Sequence, residues 1–194
     1  MSAAFSSDNN GWVDGVVHRS SPHFNARPAG MPVTLAVIHY ISLPAGVFGG
    51  DDTDALFMGT LDARSRPEYA DLAGLRVSSH FFIRRTGEVR QYVSVFNRAW
   101  HAGISSFEGR ADCNNYSVGI ELEGTGEVPF EAGQYEALTM LLETLLGILP
   151  LQTVTGHEFI APGRKSDPGP FFDWTRLSRM LPTALRTVTV PQTL

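Results

Sequence analysis

One apolar run constrains the fold of this chain more than any other part of its sequence. Thr34-Leu-Ala-Val-Ile-His39 is nearly continuous in apolar residues and has the length of a single β-strand. An uninterrupted run of this kind is typical of a strand buried on both faces, so it predicts a sheet that is covered on both sides. The run ends at His39, and binding residues often lie where such strands end.

Further strands and helices are predicted around this run. The strands are expected over residues 79–84, 88–93, 117–123 and 153–155, and the longer helices over residues 131–149 and 172–181. In 117–123 the apolar residues alternate with Gly119, Glu121 and Glu123, so the two faces of this strand differ. Strands mixed with helices in this way predict an α/β or α+β domain with a mixed sheet.

The connection from Ser42 to Arg76 is long for a compact domain. It is rich in glycine and proline and contains one short predicted helix around Thr53–Met58. Connections of this length are usually functional or partly folded on their own, so we expect this segment to contribute to function.

Composition excludes several classes of function. The net charge of −5 argues against nucleic-acid binding, which needs a basic face. The single cysteine, Cys113, cannot form an intramolecular disulfide, which favours a reducing compartment. We find neither a signal-peptide pattern nor an apolar stretch of membrane-spanning length, so the sequence predicts a cytoplasmic protein without a membrane partner.

Three residues are candidate metal ligands: His39, His157 and Asp167. Two imidazoles and one carboxylate, with one position left for water, are typical of a catalytic zinc site. His157 and Asp167 lie ten positions apart (167 − 157) in one loop rich in glycine and proline. Two alternatives remain open, because His39 is also compatible with a hydrogen-bonded core histidine and Asp167, before Pro168, with a turn residue.

Two further residues are candidate catalytic groups. Glu121 lies in a strand beside the small Gly119, and a glutamate near a zinc site can accept a proton from water. Lys165 lies close to Asp167 in the sequence, so its ammonium could stabilise an oxyanion. The alternatives are an exposed strand face for Glu121 and a solvated loop for Lys165.

Six strings of residues occur in order along most of the chain, from about Gly11 to Trp174. They are Val37-Ile-His-Tyr-Ile-Ser-Leu-Pro44, Phe48-Gly-Gly50, Arg76-Val-Ser-Ser-His80, Arg98-Ala-Trp-His-Ala-Gly103, Gly119-Ile-Glu-Leu-Glu-Gly124 and the segment from Gly156-His157 through Arg164-Lys-Ser-Asp-Pro-Gly-Pro170. Together they resemble the AmpD family, the 1,6-anhydro-N-acetylmuramyl-L-alanine amidases of cell-wall recycling. The T7 lysozyme amidases and the peptidoglycan recognition proteins are its broader relatives. The chain departs from the family pattern at Tyr40, where the family has an asparagine.

The resemblance implies a role for each matching position. It implies Zn²⁺ ligands at His39, His157 and Asp167, a general acid/base at Glu121 and an oxyanion-stabilising group at Lys165. It also implies a substrate groove bordered by Arg76, Trp100, His101 and Arg110.

The resemblance also implies the domain layout. A zinc amidase domain with a central mixed sheet flanked by helices is expected over residues 11–182. Residues 1–10 are small and polar and are expected to be disordered, and residues 183–194 would form a C-terminal tail.

The implied reaction is hydrolysis of the amide bond between (anhydro-)N-acetylmuramic acid and L-alanine in muropeptides. Two other hypotheses compete with it: a module that binds peptidoglycan without cutting it, and an amidase that attacks intact murein. Cys113 has no part in the implied mechanism. The sequence leaves the oligomeric state open, with a monomer as the expectation.

Overall fold

The apolar run that begins at Thr34 forms a strand inside a mixed sheet. The structure is a computed structural model that describes residues 5–191. Its strands are β1 (Ser6–Ser7), β2 (Val13–Asp14), β3 (Val17–His18), β4 (Phe24–Ala26), β5 (Leu35–Ile41), β6 (Phe81–Ile83), β7 (Val89–Gln91), β8 (Asn97–Ala99), β9 (Ser106–Phe107), β10 (Arg110–Ala111), β11 (Ser117–Glu123), β12 (Thr153–Gly156) and β13 (Arg186–Val188). Its α-helices are α1 (Asp52–Phe57), α2 (Ala132–Leu146), α3 (His157–Ile160) and α4 (Trp174–Met180), with 3-10 helices at Pro67–Leu72 and Cys113–Asn115.

Within these residues the main sheet has seven strands, in the order β13-β12-β5-β11-β6-β7-β3. The strands from β13 to β6 run parallel, whereas β6 and β7, which lie in the strands predicted over 79–84 and 88–93, form an antiparallel hairpin. The predicted mixed sheet is therefore confirmed, and β5 and β11 lie at its centre.

The two faces of the sheet differ, as the alternation in 117–123 predicts. On one face Ile38 and Ile120 pack in a core with the leucines of α2 and with Leu177 of α4. On the other face Leu35 and Val37 pack with residues of the irregular segments that precede β11, and α1 packs there beside Phe82. The side chains of β5 and β11 that point away from α2 therefore lie under loops, which can form a site.

Helix α2 forms because four of its leucines share one face, and all of them are fully buried. At its start, the Glu131 N–H donates to the Gln134 side chain at 3.0 Å. The helix ends at Leu146, before the predicted Leu149, and Gly147 follows its last residue. Pro150 disfavours helical backbone at the residue before it, so the helix ends before it reaches Leu149.

Both ends of the chain differ from the sequence-based expectation. Ser6–Ser7 lies within the predicted disordered segment 1–10 but pairs antiparallel with β2, because the Asp8 carboxylate accepts the Asn10 and Trp12 N–H groups and closes the turn. In the predicted tail 183–194, β13 adds a parallel strand along the exposed edge of β12. Residues 1–4 and 192–194 lie outside the described residues.

Over residues 5–191, no helix combines the length and the apolar character that crossing a membrane requires.

Candidate metal centre

The carboxyl ends of three neighbouring parallel strands position the candidate site. The register of β5 against β11 places His39 beside Glu121, and both point away from α2. His157 begins α3 immediately after β12, the other neighbour of β5. The chain then turns back, and the Glu158 N–H donates to the Asp167 carbonyl at 2.8 Å, which brings Asp167 to the same point.

The three candidate ligands converge on one centre. His39 Nδ1 lies 2.9 Å from Asp167 Oδ2, and His157 Nδ1 lies 3.0 Å from the same oxygen. The two Nδ1 atoms are 3.0 Å apart. Both histidines are buried, at 1% and 3% exposed, so neither is a surface residue that meets a carboxylate by chance. His39 is therefore not an isolated core histidine, and Asp167 is more than a turn residue.

The outer side of the His157 ring shows that this group fits a metal. His157 Nε2 lies 3.0 Å from the Ala102 carbonyl oxygen, which can only accept a hydrogen bond. Nε2 therefore carries the proton, and in the neutral ring the Nδ1 lone pair points to the centre. A backbone carbonyl behind the ring is the usual outer partner of a metal-bound histidine. Two imidazole nitrogens and one carboxylate oxygen match the donors that Zn²⁺ prefers.

The charges at the centre also suit a cation. Burial, and after it the neighbouring His157, lower the pKa of His39 to about 4, although Asp167 opposes this shift. This ring is therefore neutral near pH 7 and keeps a lone pair. Burial alone raises the pKa of Asp167, but the adjacent imidazoles of His157 and His39 outweigh it, so the pKa lies below its ordinary value.

Glu121 is a buried carboxylate next to this centre. Its side chain is 8% exposed, and Oε2 has no hydrogen-bond partner among the described residues. Burial raises its pKa well above the ordinary value and the charge of Asp167 adds to this, while Lys165 opposes it. The exposed strand face considered from sequence is thus wrong for Glu121. A carboxylate with a raised pKa is suited to accept and return a proton.

A cavity of about 230 Å³ opens onto these groups. Its polar wall contains the three candidate ligands together with Glu121, His101 and Lys165. Its apolar wall is formed by side chains of the Ser42–Arg76 segment, namely Leu43, Leu56, Phe57, Leu72 and Leu75. The segment that the sequence marked as functional therefore lines the cavity at the metal centre.

A larger cavity of about 780 Å³ adjoins the first and shares Tyr40 and Ile41 with it. The candidate ligands and Glu121 do not line it. We place the chemistry in the smaller cavity, since that is where the titratable groups meet. Tyr40, the departure from the family pattern, lies at the boundary between the two.

The four expected groove residues are distributed unevenly. Trp100 and His101 line the smaller cavity, and the Trp100 indole N–H donates to Asn25 at 2.7 Å. Arg76 is exposed and lines a separate cavity of about 170 Å³. Arg110 is also exposed, and its guanidinium stacks 4.0 Å above the Tyr116 ring. Within residues 5–191, neither arginine lines the smaller cavity.

Sequence reasoning missed the residues that contact His101 and His157 on the side away from the metal centre. The Ser117 hydroxyl contacts the His101 ring, and the Asn114 side chain accepts the His101 and Ala102 N–H groups, but no motif marks either residue. Ala102 contacts His157 through its backbone carbonyl, which no side-chain pattern indicates. Gly119 gave a partial signal, as a small residue among larger ones in an alternating strand. The His101 ring fills the place where a side chain at 119 would lie.

Comparisons with known proteins find similarity over most of the chain. The family model described as N-acetylmuramoyl-L-alanine amidase (Amidase_2) matches residues 29–170. The 1,6-anhydro-N-acetylmuramyl-L-alanine amidase AmpD of Enterobacter cloacae is 50% identical over 177 residues, which cover 90% of this chain and 95% of that protein.

Solved structures give the same result. A crystal structure of an AmpD selenomethionine derivative has a TM-score of 0.86 and 47% identity, and the match covers 90% of this chain and 98% of that one. The Escherichia coli amidase AmiD has a TM-score of 0.57 and 31% identity, over 80% of this chain and 60% of that one.

Proposed function

This chain belongs to the N-acetylmuramoyl-L-alanine amidase family, and from that premise we propose that it is a zinc-dependent hydrolase of anhydromuramyl peptides. It would cut the amide bond between (1,6-anhydro-)N-acetylmuramic acid and L-alanine. The observation that carries this proposal is the meeting in one cavity of His39, His157 and Asp167 with Glu121, whose Oε2 has no hydrogen-bond partner within residues 5–191.

His39, His157 and Asp167 are the residues that would hold the zinc ion. When bound at such a site, zinc is a Lewis acid that polarises a substrate carbonyl and makes water more acidic. The chain supplies one anionic and two imidazole ligands, and the Ala102 carbonyl orients one of the imidazoles. These ligands and the contact to Ala102 support Zn²⁺ as the cofactor, which the family resemblance implied.

Glu121 would move the proton. Its carboxylate would accept a proton from the attacking water and return it to the amine of the departing alanine. Burial and the nearby Asp167 raise the proton affinity of Glu121, which favours the step in which its carboxylate accepts the proton from water. Lys165, at the cavity wall, would place a positive charge near the oxyanion that develops on the carbonyl.

The relatives support the substrate class. The Enterobacter cloacae protein is named for the 1,6-anhydro-N-acetylmuramyl-L-alanine bond, and the Escherichia coli AmiD structure contains anhydro-N-acetylmuramic acid-L-Ala-D-γ-Glu-L-Lys as substrate. We propose the same class of substrate here, with Trp100 contributing to the groove at the cavity wall. Arg76 and Arg110 would act farther from the reacting bond.

A paired hydrolysis assay tests the function. Zinc-loaded and chelator-stripped protein is given soluble anhydromuramyl peptides and, separately, intact sacculi. We expect zinc-dependent release of free peptide from the soluble substrate, with sacculi largely unchanged. Release from sacculi would assign the protein to wall lysis instead, and no release from either would leave only a binding module.

Two variants separate the assigned roles. Glu121→Ala is expected to keep zinc and lose most turnover, because it removes the proton carrier and leaves the ligands. Asp167→Ala is expected to lose both, because it removes the anionic ligand. Zinc content by elemental analysis, measured beside turnover, checks both outcomes. Near wild-type turnover in Glu121→Ala would refute the role of Glu121.

A role in cytoplasmic cell-wall recycling and a monomeric state are part of the same proposal. Cell fractionation tests the location, and sedimentation of the purified protein tests the oligomeric state. Recovery in the periplasmic fraction would favour action on the wall itself.

A further inference from the structure

The ring of His39 contacts a second histidine on the side that faces away from the metal centre. His39 Nε2 lies 3.0 Å from His101 Nδ1, and the two rings meet edge to face. Nitrogens this close form a hydrogen bond only when one carries a proton and the other presents a lone pair. The direction of this bond decides which nitrogen of His39 is free for a metal.

Ser117 determines that direction. Its hydroxyl lies 2.6 Å from the Cys113 carbonyl oxygen, which can only accept, so the hydroxyl proton points there. The same hydroxyl oxygen lies 3.2 Å from His101 Nε2 and must accept from it. In the neutral His101 ring, Nδ1 is then unprotonated and accepts the His39 Nε2–H. This leaves the His39 Nδ1 lone pair pointing to His157 and Asp167.

Hydrogen bonds from its backbone and from that of Ala102 hold His101 in place. The Asn114 side-chain oxygen accepts both the His101 and the Ala102 N–H, at 3.1 and 2.9 Å. The Ala102 carbonyl contacts His157, and the preceding residue, His101, contacts His39. Two consecutive residues therefore orient the two candidate ligand imidazoles. Gly119 makes room for the His101 ring, because a Cβ there would lie 2.4 Å from its Cγ.

We propose that His101 is a positioning residue for the metal centre, with Ser117 setting its tautomer through a chain of hydrogen bonds. This inference rests on the proposed zinc site. In this proposal His101 orients the His39 ring in addition to lining the cavity. The chain runs from the Cys113 carbonyl through Ser117 and His101 to His39.

Zinc affinity in the absence of substrate tests this role. Competition with a chromophoric chelator is measured for the full chain and its variants. His101→Ala is expected to bind zinc about 10- to 100-fold more weakly, as is usual when an outer partner of a ligand histidine is lost. Ser117→Ala is expected to weaken binding less, since the His101 ring remains. His101→Asn keeps an acceptor near the Nδ1 position and should restore part of the affinity.

Ser94→Ala is the matched control. Ser94 is a buried serine whose hydroxyl donates to the Asn10 carbonyl and accepts the Phe96 N–H, and neither residue belongs to the hydrogen-bond chain, so its removal should leave zinc affinity unchanged. Circular dichroism confirms that each variant folds, and Ser117→Ala and His101→Asn keep the test valid where His101→Ala does not fold.

Two results would overturn the inference in different ways. Unchanged zinc affinity in His101→Ala and Ser117→Ala, with a raised KM in His101→Ala, would make His101 a substrate contact only and leave the proposed function intact. A wild-type protein that binds no zinc would overturn the proposed function together with this inference.

Discussion

Glu121 has the least favourable environment of the carboxylates around the cavity. It is buried, and one of its oxygens has no hydrogen-bond partner within the described chain. A buried carboxylate without full hydrogen bonding costs stability, so such a position is usually retained for its chemistry. At this residue, function and stability make opposite demands.

This opposition gives a pH-dependent prediction. Because the folded pKa of Glu121 is raised, the folded state binds the proton more tightly than the unfolded state does. Its carboxyl therefore destabilises the fold increasingly as pH rises above the unfolded value of about 4.3. In chelator-treated protein at pH 7, Glu121→Gln should raise the free energy of unfolding by roughly 1–3 kcal/mol. The gain should shrink toward pH 4.

Urea denaturation at several pH values measures this effect. Glu127→Gln is the control, because Glu127 is an exposed carboxylate close by in the sequence. A Glu121→Gln protein that is less stable than wild type at pH 7 would contradict the prediction.

At the scale of elements, two buried carboxylates, Glu123 and Asp54, attach the Ser42–Arg76 segment to the sheet. Glu123 accepts the Gly49 N–H at 2.6 Å and the Arg85 N–H at 2.9 Å. Arg84 lies 3.7 Å from Glu123 and donates to the Gly50 carbonyl. Farther along, Asp54 of α1 forms a buried ion pair with Arg90. The segment is thus partly folded, and its N-terminal half is tied to the β6–β7 hairpin.

Removing the charge of Glu123 should loosen this attachment. Hydrogen bonds to charged groups contribute about 1.5–3 kcal/mol each, so Glu123→Gln should speed amide hydrogen exchange over residues 45–58. KM for an anhydromuramyl peptide should rise, because the segment forms the apolar wall of the cavity. Exchange followed by mass spectrometry measures the first effect.

Glu143→Gln, at an exposed carboxylate of α2, serves as the control and should leave both quantities unchanged. Equal exchange in Glu123→Gln and wild type would show that other contacts hold the segment. Exchange measured with and without substrate also tests whether the segment adjusts to admit it, since identical protection would exclude that motion.

At the scale of the whole molecule, the site collects groups from distant parts of the sequence. β5, β11 and β12 are neighbours in the sheet, and their carboxyl ends, or the residues just after them, carry His39, Glu121 and His157. Binding sites in sheets with parallel strands commonly lie at the carboxyl ends of the strands. A metal held here would join β5 to the segment after β12, and so its binding should stabilise the whole fold.

Zinc is therefore expected to raise the melting temperature. A ligand that binds only the folded state at 1,000 times its Kd stabilises it by about 4 kcal/mol. For a domain of this size that corresponds to a rise in Tm of roughly 8–16 °C. Calorimetry with and without chelator measures the shift, and Asp167→Ala should show little of it. An equal Tm with and without zinc would argue against binding by the folded state.

The sequence by itself determined the kinds of elements and the candidate ligands. The apolar run at Thr34–His39 and the alternation in 117–123 indicate which side chains are buried, because successive side chains of a strand point to opposite faces of the sheet. The same local patterns located α2 and the β6–β7 hairpin. Family strings then identified the chain as an amidase relative and indicated His39, His157, Asp167 and Glu121.

Only the tertiary structure decided how these residues meet. The register that sets Glu121 beside His39 depends on the pairing of strands far apart in the sequence, which no local pattern specifies. The bonds from Ser117 through His101 to His39 exist only after that pairing, and the Ala102 carbonyl has no side-chain signature at all. The pairing of β13 with β12 also depends on the tertiary structure, since β13 lies in a segment that was expected to be a tail. An unpaired strand edge offers backbone hydrogen bonds to a segment that can reach it.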